Sequence, residues 1–317
     1  MEILVTLPVQ EKHKKQLEAS APSHQFHYKA AKNLTADDLL DISVIIGNPP
    51  ANLLAKASQL QWVQLNSAGA DPYCQAGILP TGVRLTNATG AYGLALSEYM
   101  LAALLAMQKK LYAYHDNQKQ ELWQDEGSVT SIYGAKVLVI GLGDIGGNFA
   151  SRVKALGAHV TGIRRRPSAC PAYVDEIAGM DALDTCLSQA DIVASILPGT
   201  SATHHLFDAA AFAKMKQGAY FINAGRGNTV VTDALCNALR SGHLAGAAVD
   251  VTDPEPLPSG HPMWSVPNLH ITPHTAGQYH LAATLDFIVQ IAAQNMTAFL
   301  QNKPLKNEVD FSTGYKK

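Results

Sequence analysis

Two kinds of run alternate along this chain. Short apolar stretches rich in β-branched residues are separated by longer stretches whose apolar residues recur at helical spacing, the pattern of βαβ units and a parallel sheet. Near the start, strands are predicted at Ile3–Val9, Val44–Gly47, Trp62–Leu65 and Val83–Leu85, with helical pieces at Gln10–Ala19 and Asn52–Ala57. A second series opens at Lys136 with KVLVIG and continues through HVTGI, IVASILP, YFINAG, AAVDV and LHITP. Helices at Ile145–Leu156, Asp208–Met215 and Thr232–Arg240 intervene.

Between the two series lies Leu94–Tyr114, apolar almost all round in its first half, so one buried helix is expected there. After Pro273, Leu281–Leu300 reads as another long helix, followed by the tail NKPLKNEVDF. The economical arrangement returns this helix and tail to the first domain. The fold class is therefore α/β with two doubly wound parallel-sheet domains. One is discontinuous, residues 1–97 and 284–317, and the other, residues 98–283, is inserted into it.

Composition agrees with large buried layers: 47% of the 317 residues are hydrophobic and 16% charged, against a typical charged fraction of roughly 25%. A net charge of −2 and the absence of an extended Lys/Arg block give no reason to expect a nucleic-acid or membrane partner. Cys74, Cys170, Cys186 and Cys236 lie far apart without a CxxC pair, so no metal site and no disulfide framework are expected. MEILVTLPV passes straight into charged EKHKK and reads as a strand, not a secretory leader, and no run approaches the length of a membrane span. A soluble, cytoplasmic protein is expected.

Chemistry enters at GLGDIG, Gly141 to Gly146. Alone this spacing is weak, but here a strand precedes it, a helix follows, and another strand ends near Ile163. Gly141 permits the tight turn, Gly143 lets backbone approach a pyrophosphate, and Gly146 allows close helix packing. The N–H groups near Asp144 and Ile145 then face the anion. The second strand of such a unit normally ends in an acidic residue that binds the adenosine ribose. This chain has Arg164, Arg165 and Arg166 there. Guanidinium groups pair with a 2′-phosphate that an acid would repel, which points to NADP(H) as the preferred cofactor, with NAD(H) as an alternative.

Three motifs follow at predicted strand ends: NAGRG (Asn223–Gly227), DVTDPEPL (Asp250–Leu257) and TPHTAG (Thr272–Gly277). They place Arg226, Glu255 and His274 in order, separated by 29 and 19 residues. Reduction of a 2-ketoacid needs a cation for the carboxylate and carbonyl oxygen, a proton donor, and a group that tunes the donor. Arg226 offers a planar fork, His274 a proton near neutrality, and Glu255 an anion that orients the ring and favours its charged form. Singly, each has a structural explanation; their order after the glycine fingerprint carries the weight.

These motifs, with LNSAGAD (Leu65–Asp71), TNATGAYGLALSEYML and ILPGT (Ile196–Thr200), make the chain resemble the D-isomer-specific 2-hydroxyacid dehydrogenase family over nearly its whole length. The resemblance implies a Rossmann cofactor domain inserted into a flavodoxin-like substrate domain. It also implies a homodimer through the cofactor domains and an active site in the interdomain cleft. By it, Arg226 binds substrate, His274 is the acid/base and Glu255 its partner. It also implies cofactor contacts from Leu197, Pro198, Thr203, Ala224, Gly225, Asp250 and Gly277. Substrate contacts would come from Asn48 and from backbone N–H groups of Ala68 and Gly69. Within the family the arginines and compact length look most like the NADP-preferring glyoxylate/hydroxypyruvate reductase branch. Gly225 and Thr252 depart from the larger residues common at those places, near the pocket floor, and bear on substrate size. Glu255 argues against a formate dehydrogenase, whose histidine partner is an amide. The competing class is an NAD(P)-sensing, corepressor-like binding module on the same fold, and a second competitor is a phosphite or 3-phosphoglycerate enzyme.

Overall fold

The computed structural model describes residues 1–165, 169–311 and 315–316, and its contacts divide the chain into two compact units. The first comprises Met1–Tyr92 and Leu281–Lys317, the second Gly93–His280. The expected divisions at 97/98 and 283/284 thus move to 92/93 and 280/281. For the first of these the reason lies in the helix Gly93–Gln108, which packs on the helix Asp144–Ala155 and the strand Leu244–Val249 of the second unit.

In the first unit five parallel strands form one sheet: β1 (Glu2–Val5), β2 (Gln25–Tyr28), β3 (Ile42–Ile46), β4 (Trp62–Gln64) and β5 (Arg84–Thr86), in the order β2-β1-β3-β4-β5. β2 is absent from the sequence expectation because QFHY alternates exposed and half-buried positions without an apolar run. β3, ISVII, is buried at every position, as a central parallel strand must be. Leu4, Ile45, Val63, Leu65 and Leu85 build the core with Leu54 from the short helix α2 (Ala51–Leu54). α1 (Glu11–Ser20) buries His13 and Leu17; His13 Nε2 lies 2.7 Å from Asp286 Oδ1 on the final helix, Ala282–Leu300. The tail is tied in by Arg84 and Glu308, 2.8 Å apart.

The second unit begins with α3 (Gly93–Gln108). The single helix expected over Leu94–Tyr114 is in fact two, because Lys110 turns left-handed (φ 54°) and α4 (Leu111–Lys119) continues in a new direction with no buried residue. Two consecutive lysines, Lys109 and Lys110, end the apolar face of α3 there. Seven parallel strands follow: β6 (Lys136–Ile140), β7 (His159–Ile163), β8 (Glu176–Ala178), β9 (Ile192–Ser195), β10 (Ala219–Asn223), β11 (Leu244–Val249) and β12 (Leu269–Ile271). Their order is β12-β11-β10-β9-β6-β7-β8, so the direction of winding reverses between β6 and β9. Ligands of open α/β sheets bind outside the strand C-termini at such a point. β8 is a half-exposed edge that the sequence pattern does not reveal.

Four helices complete this unit: α5 (Asp144–Ala155), α6 (Leu183–Gln189), α7 (Ala209–Lys214) and α8 (Thr232–Arg240). α5 carries Asp144 in its first turn and Arg152 and Lys154 in its last, matching its dipole. α7 is capped by Asp208, whose carboxylate accepts the Ala211 N–H at 2.8 Å. In the core Phe221 meets Phe207 and Phe212 edge-on, with ring centroids 4.9 and 5.3 Å away. Burying each such ring stabilises the fold by about 1.5 to 3 kcal/mol. The last helix, α9 (Ala282–Leu300), belongs to the first unit. Among the described residues no helix is long and apolar enough to cross a membrane.

Candidate active site

The glycine-rich turn joins β6 to α5. Gly141 has φ 99°, and a Cβ there would clash with the Ile196 carbonyl. A Cβ on Gly146 would strike the Gly141 carbonyl, so α5 lies close against the turn. Gly143 differs: a Cβ added there meets nothing within 4 Å. It caps α5 without a side-chain bond, and first-turn N–H groups of a helix have no i−4 acceptor. An open surface backed by those donors, Ile145 among them, fits a dinucleotide pyrophosphate. Asp144 turns its carboxylate to the Gly93 N–H at 2.9 Å, so its side chain serves the fold while its backbone faces the turn.

Arg164 follows β7, and its Nη2 donates to the Leu142 carbonyl at 3.1 Å, inside the glycine-rich turn. Arg165, next to it, is exposed. Arg166 lies outside the described residues. Leu197 and Pro198 follow β9. Thr203, expected at the cofactor, bonds within its own loop: its hydroxyl donates to Pro198 O at 2.5 Å and accepts the Thr200 N–H at 2.9 Å.

Ala224, Gly225 and Arg226 follow β10, the Ala224 N–H donating to Ser195 O on β9 at 3.1 Å. A Cβ on Gly225 would clash with the backbone of Leu197. Close backbone therefore accounts for a glycine at this place. Arg226 is pinned through its carbonyl, which accepts from Asn223 Nδ2 at 3.0 Å and Thr229 Oγ1 at 2.7 Å. Its own Nη1 donates to Gly225 O at 2.9 Å.

Glu255 and His274 meet across the loops after β11 and β12, with Oε1 and Nδ1 2.6 Å apart and both side chains nearly half exposed. Gly277 lies three residues beyond the histidine. Asp250 is buried, and its carboxylate accepts from the Thr272 hydroxyl at 2.6 Å and from the Thr275 and Ala276 N–H groups. The sequence reading missed this role of Asp250 and missed Tyr99, whose hydroxyl lies 2.7 Å from Thr272 Oγ1. The motifs TPHTAG and TNATGAYGLALSEYML contain Thr272 and Tyr99, but neither shows that the two side chains meet.

In the first unit, Asn48 follows β3 and Ala68 and Gly69 follow β4. Asn48 was expected to touch substrate, yet its amide grips the loop: Oδ1 accepts the Asn66 N–H at 2.9 Å and Nδ2 donates to Ser67 Oγ at 3.1 Å. Asn87 donates to Ala68 O at 2.8 Å, and Tyr73, whose hydroxyl burial pushes up to about 12, donates to Pro49 O at 2.8 Å. The loop so held carries the N–H groups of Ala68 and Gly69, backbone donors of the kind that suit a carboxylate.

A family model for the NAD binding domain of D-isomer specific 2-hydroxyacid dehydrogenases matches residues 101–276. Glyoxylate/hydroxypyruvate reductase A of Serratia proteamaculans is 32% identical, over 86% of this chain and 87% of its own. A solved D-isomer specific 2-hydroxyacid dehydrogenase family protein from Aeromonas salmonicida is similar with a TM-score of 0.86 and 33% identity, covering 98% of this chain and 99% of that one. The NADPH-dependent glyoxylate/hydroxypyruvate reductase of Sinorhizobium meliloti, solved with NADP and sulfate, gives a TM-score of 0.84 at 26% identity, with 99% of each chain covered. The chain belongs to the D-isomer specific 2-hydroxyacid dehydrogenase family. It is an oxidoreductase of 2-ketoacids and 2-hydroxyacids that uses a nicotinamide cofactor, and within the family it is similar to the glyoxylate/hydroxypyruvate reductases.

Proposed function

We propose that this protein reduces small 2-ketoacids to D-2-hydroxyacids, and runs the reverse reaction, with NADP(H) preferred and His274 moving the proton. The observation that carries the reading is the 2.6 Å pair between His274 Nδ1 and Glu255 Oε1 at the strand C-termini that also present Arg226. A carboxylate at Nδ1 selects the tautomer with hydrogen there, so Nε2 is the nitrogen that exchanges a proton with the substrate oxygen. When bound, the reduced nicotinamide supplies a hydride for the carbonyl carbon. Arg226 pairs with the substrate carboxylate and draws charge onto the carbonyl oxygen. His274 protonates that oxygen.

Preference for NADP(H) is supported by Arg164, anchored over the glycine-rich turn with Arg165 beside it, where the chain has no acid. The Xanthobacter autotrophicus and Sinorhizobium meliloti proteins were solved with NADPH and NADP. A homodimer is supported by the exposed apolar segment after α4, where Leu122, Trp123, Val129 and Tyr133 face solvent in one chain.

Replacing His274 with Ala tests the reading: kcat for ketoacid reduction should fall by about 10² to 10⁴-fold, the worth of a general acid, with NADPH affinity unchanged. Glu255→Gln should be milder. Near-normal turnover in His274→Ala would remove the proton role.

A further inference from the structure

One hydrogen-bonded chain that begins on α3 and runs through Asp250 ends on the backbone that carries His274. Tyr99 stands on α3, 2.7 Å from Thr272 Oγ1, and Thr272 lies 2.6 Å from Asp250 Oδ1, to which it donates. A threonine hydroxyl has one hydrogen, so Tyr99 must be the donor to Thr272. Desolvation, the chief cause, pushes the Tyr99 hydroxyl up to about 12, which keeps it a donor at neutral pH. Asp250 is only 2% exposed. Beyond Thr272 its side chain accepts from Thr275 N–H at 3.0 Å and Ala276 N–H at 3.2 Å, and its own carbonyl accepts from His274 N–H at 2.8 Å. His274 itself has φ 51°, a left-handed conformation that a non-glycine residue holds only when its surroundings impose it.

We propose that Tyr99, Thr272 and Asp250 form a positioning relay that holds residues 274–276 in this turn and so aims the His274 ring. The proposal rests on the reading of His274 as the proton carrier. Successive N–H groups of the turn converge on one buried carboxylate, which is how a backbone nest is held around an anion. Asp250 has both oxygens engaged by the protein, so its first duty is to the turn. Thr272 orients that carboxylate, and Tyr99 orients Thr272. Loss of the link lets the turn relax toward ordinary backbone angles, and the ring then leaves both Glu255 and the substrate oxygen. A shift of this kind, about 1 Å, costs up to roughly a hundredfold in rate.

The test compares Thr272→Val, Thr272→Ser and Tyr99→Phe with His274→Ala, measuring kcat, KM for NADPH and the solvent deuterium isotope effect on kcat. Thr272→Val should lose roughly ten- to a hundredfold in kcat at unchanged KM for NADPH, with a larger isotope effect because proton transfer has become slow. Thr272→Ser restores the hydroxyl and should restore the rate to within about threefold of the parent. Tyr99→Phe keeps the ring and loses one buried hydrogen bond, so kcat should fall by about two- to tenfold; this variant carries the test where Thr272→Val does not fold. Wild-type kcat and isotope effect in Thr272→Val or Tyr99→Phe, or a Ser variant as impaired as Val, overturns the relay. If His274→Ala is inactive while these variants are normal, the relay alone fails; if His274→Ala is normal, the proton reading fails with it.

Discussion

Arg226 illustrates how the site fixes charge in direction as well as in place. Its backbone is clamped by Asn223 and Thr229, and one guanidinium nitrogen is tethered to Gly225 O. Lysine at this position keeps the charge and loses the planar fork. Arg226→Lys should therefore raise KM for 2-ketoacids and lower kcat, reducing kcat/KM by at least about tenfold, the worth of one charge-assisted bond. Steady-state kinetics checks it, and an unchanged ratio would make Arg226 structural. The pairing of Glu255 with His274, 2.6 Å apart, was legible in the sequence because each follows a strand and sits among distinctive neighbours. The duty of Asp250 was not: Tyr99 and Thr272 are 173 residues apart, and no spacing rule joins them. The reason for glycine at 225 was hidden likewise, since the space beside it is filled by the backbone of Leu197, from another strand end.

The elements supply stability in ways that can be separated. On β12, His270 stacks on Tyr112 of α4 at 3.5 Å between centroids, and burial lowers its pKa from 6.5 to about 4 despite the nearby Asp116. The unfolded chain takes up this proton near 6.5 and the folded chain only near 4, so in that window the unfolded state binds more protons. Stability is therefore lost as pH falls from 6.5 toward 4. His270→Phe keeps the stack without the titration, so its Tm should drop less than that of the parent between about pH 7 and about pH 5; equal drops would remove His270 as a cause. In the first unit, α9 is tied to the sheet by Asn295, which donates to Gln64 Oε1 at 2.7 Å and accepts from Lys306 N–H at 2.7 Å. Asn295→Ala removes both bonds, Gln64 Oε1 keeping the Thr86 hydroxyl at 2.8 Å, and should cost about 1 to 3 kcal/mol, visible as a lower denaturation midpoint; a change under about 0.5 kcal/mol would contradict it. The long strands and helices were readable from periodicity. The edge strands β2 and β8 are too short and too exposed to show it, and the break at Lys110 hides because LYAY continues the apolar pattern.

At the scale of the molecule, each unit is a doubly wound sheet with its own core, and the reading depends on what the second unit binds. Strand order follows from parallel strands joined by right-handed crossovers, which is why two α/β domains could be read from alternation alone, while the boundary at 92/93 depended on where α3 packs. The central claim joins one reaction to one cofactor. A 2′-phosphate carries nearly two negative charges, and one or two charge-assisted bonds from Arg164 and Arg165 are worth about 1.5 to 3 kcal/mol each. The direct test is kcat/KM for NADPH and for NADH on a panel of small 2-ketoacids beginning with glyoxylate and hydroxypyruvate, with the chirality of each chiral product determined. The account predicts turnover to D-2-hydroxyacids with NADPH favoured by roughly tenfold to several hundredfold. Equal use of both cofactors, a preference for NADH, or an L product would contradict it.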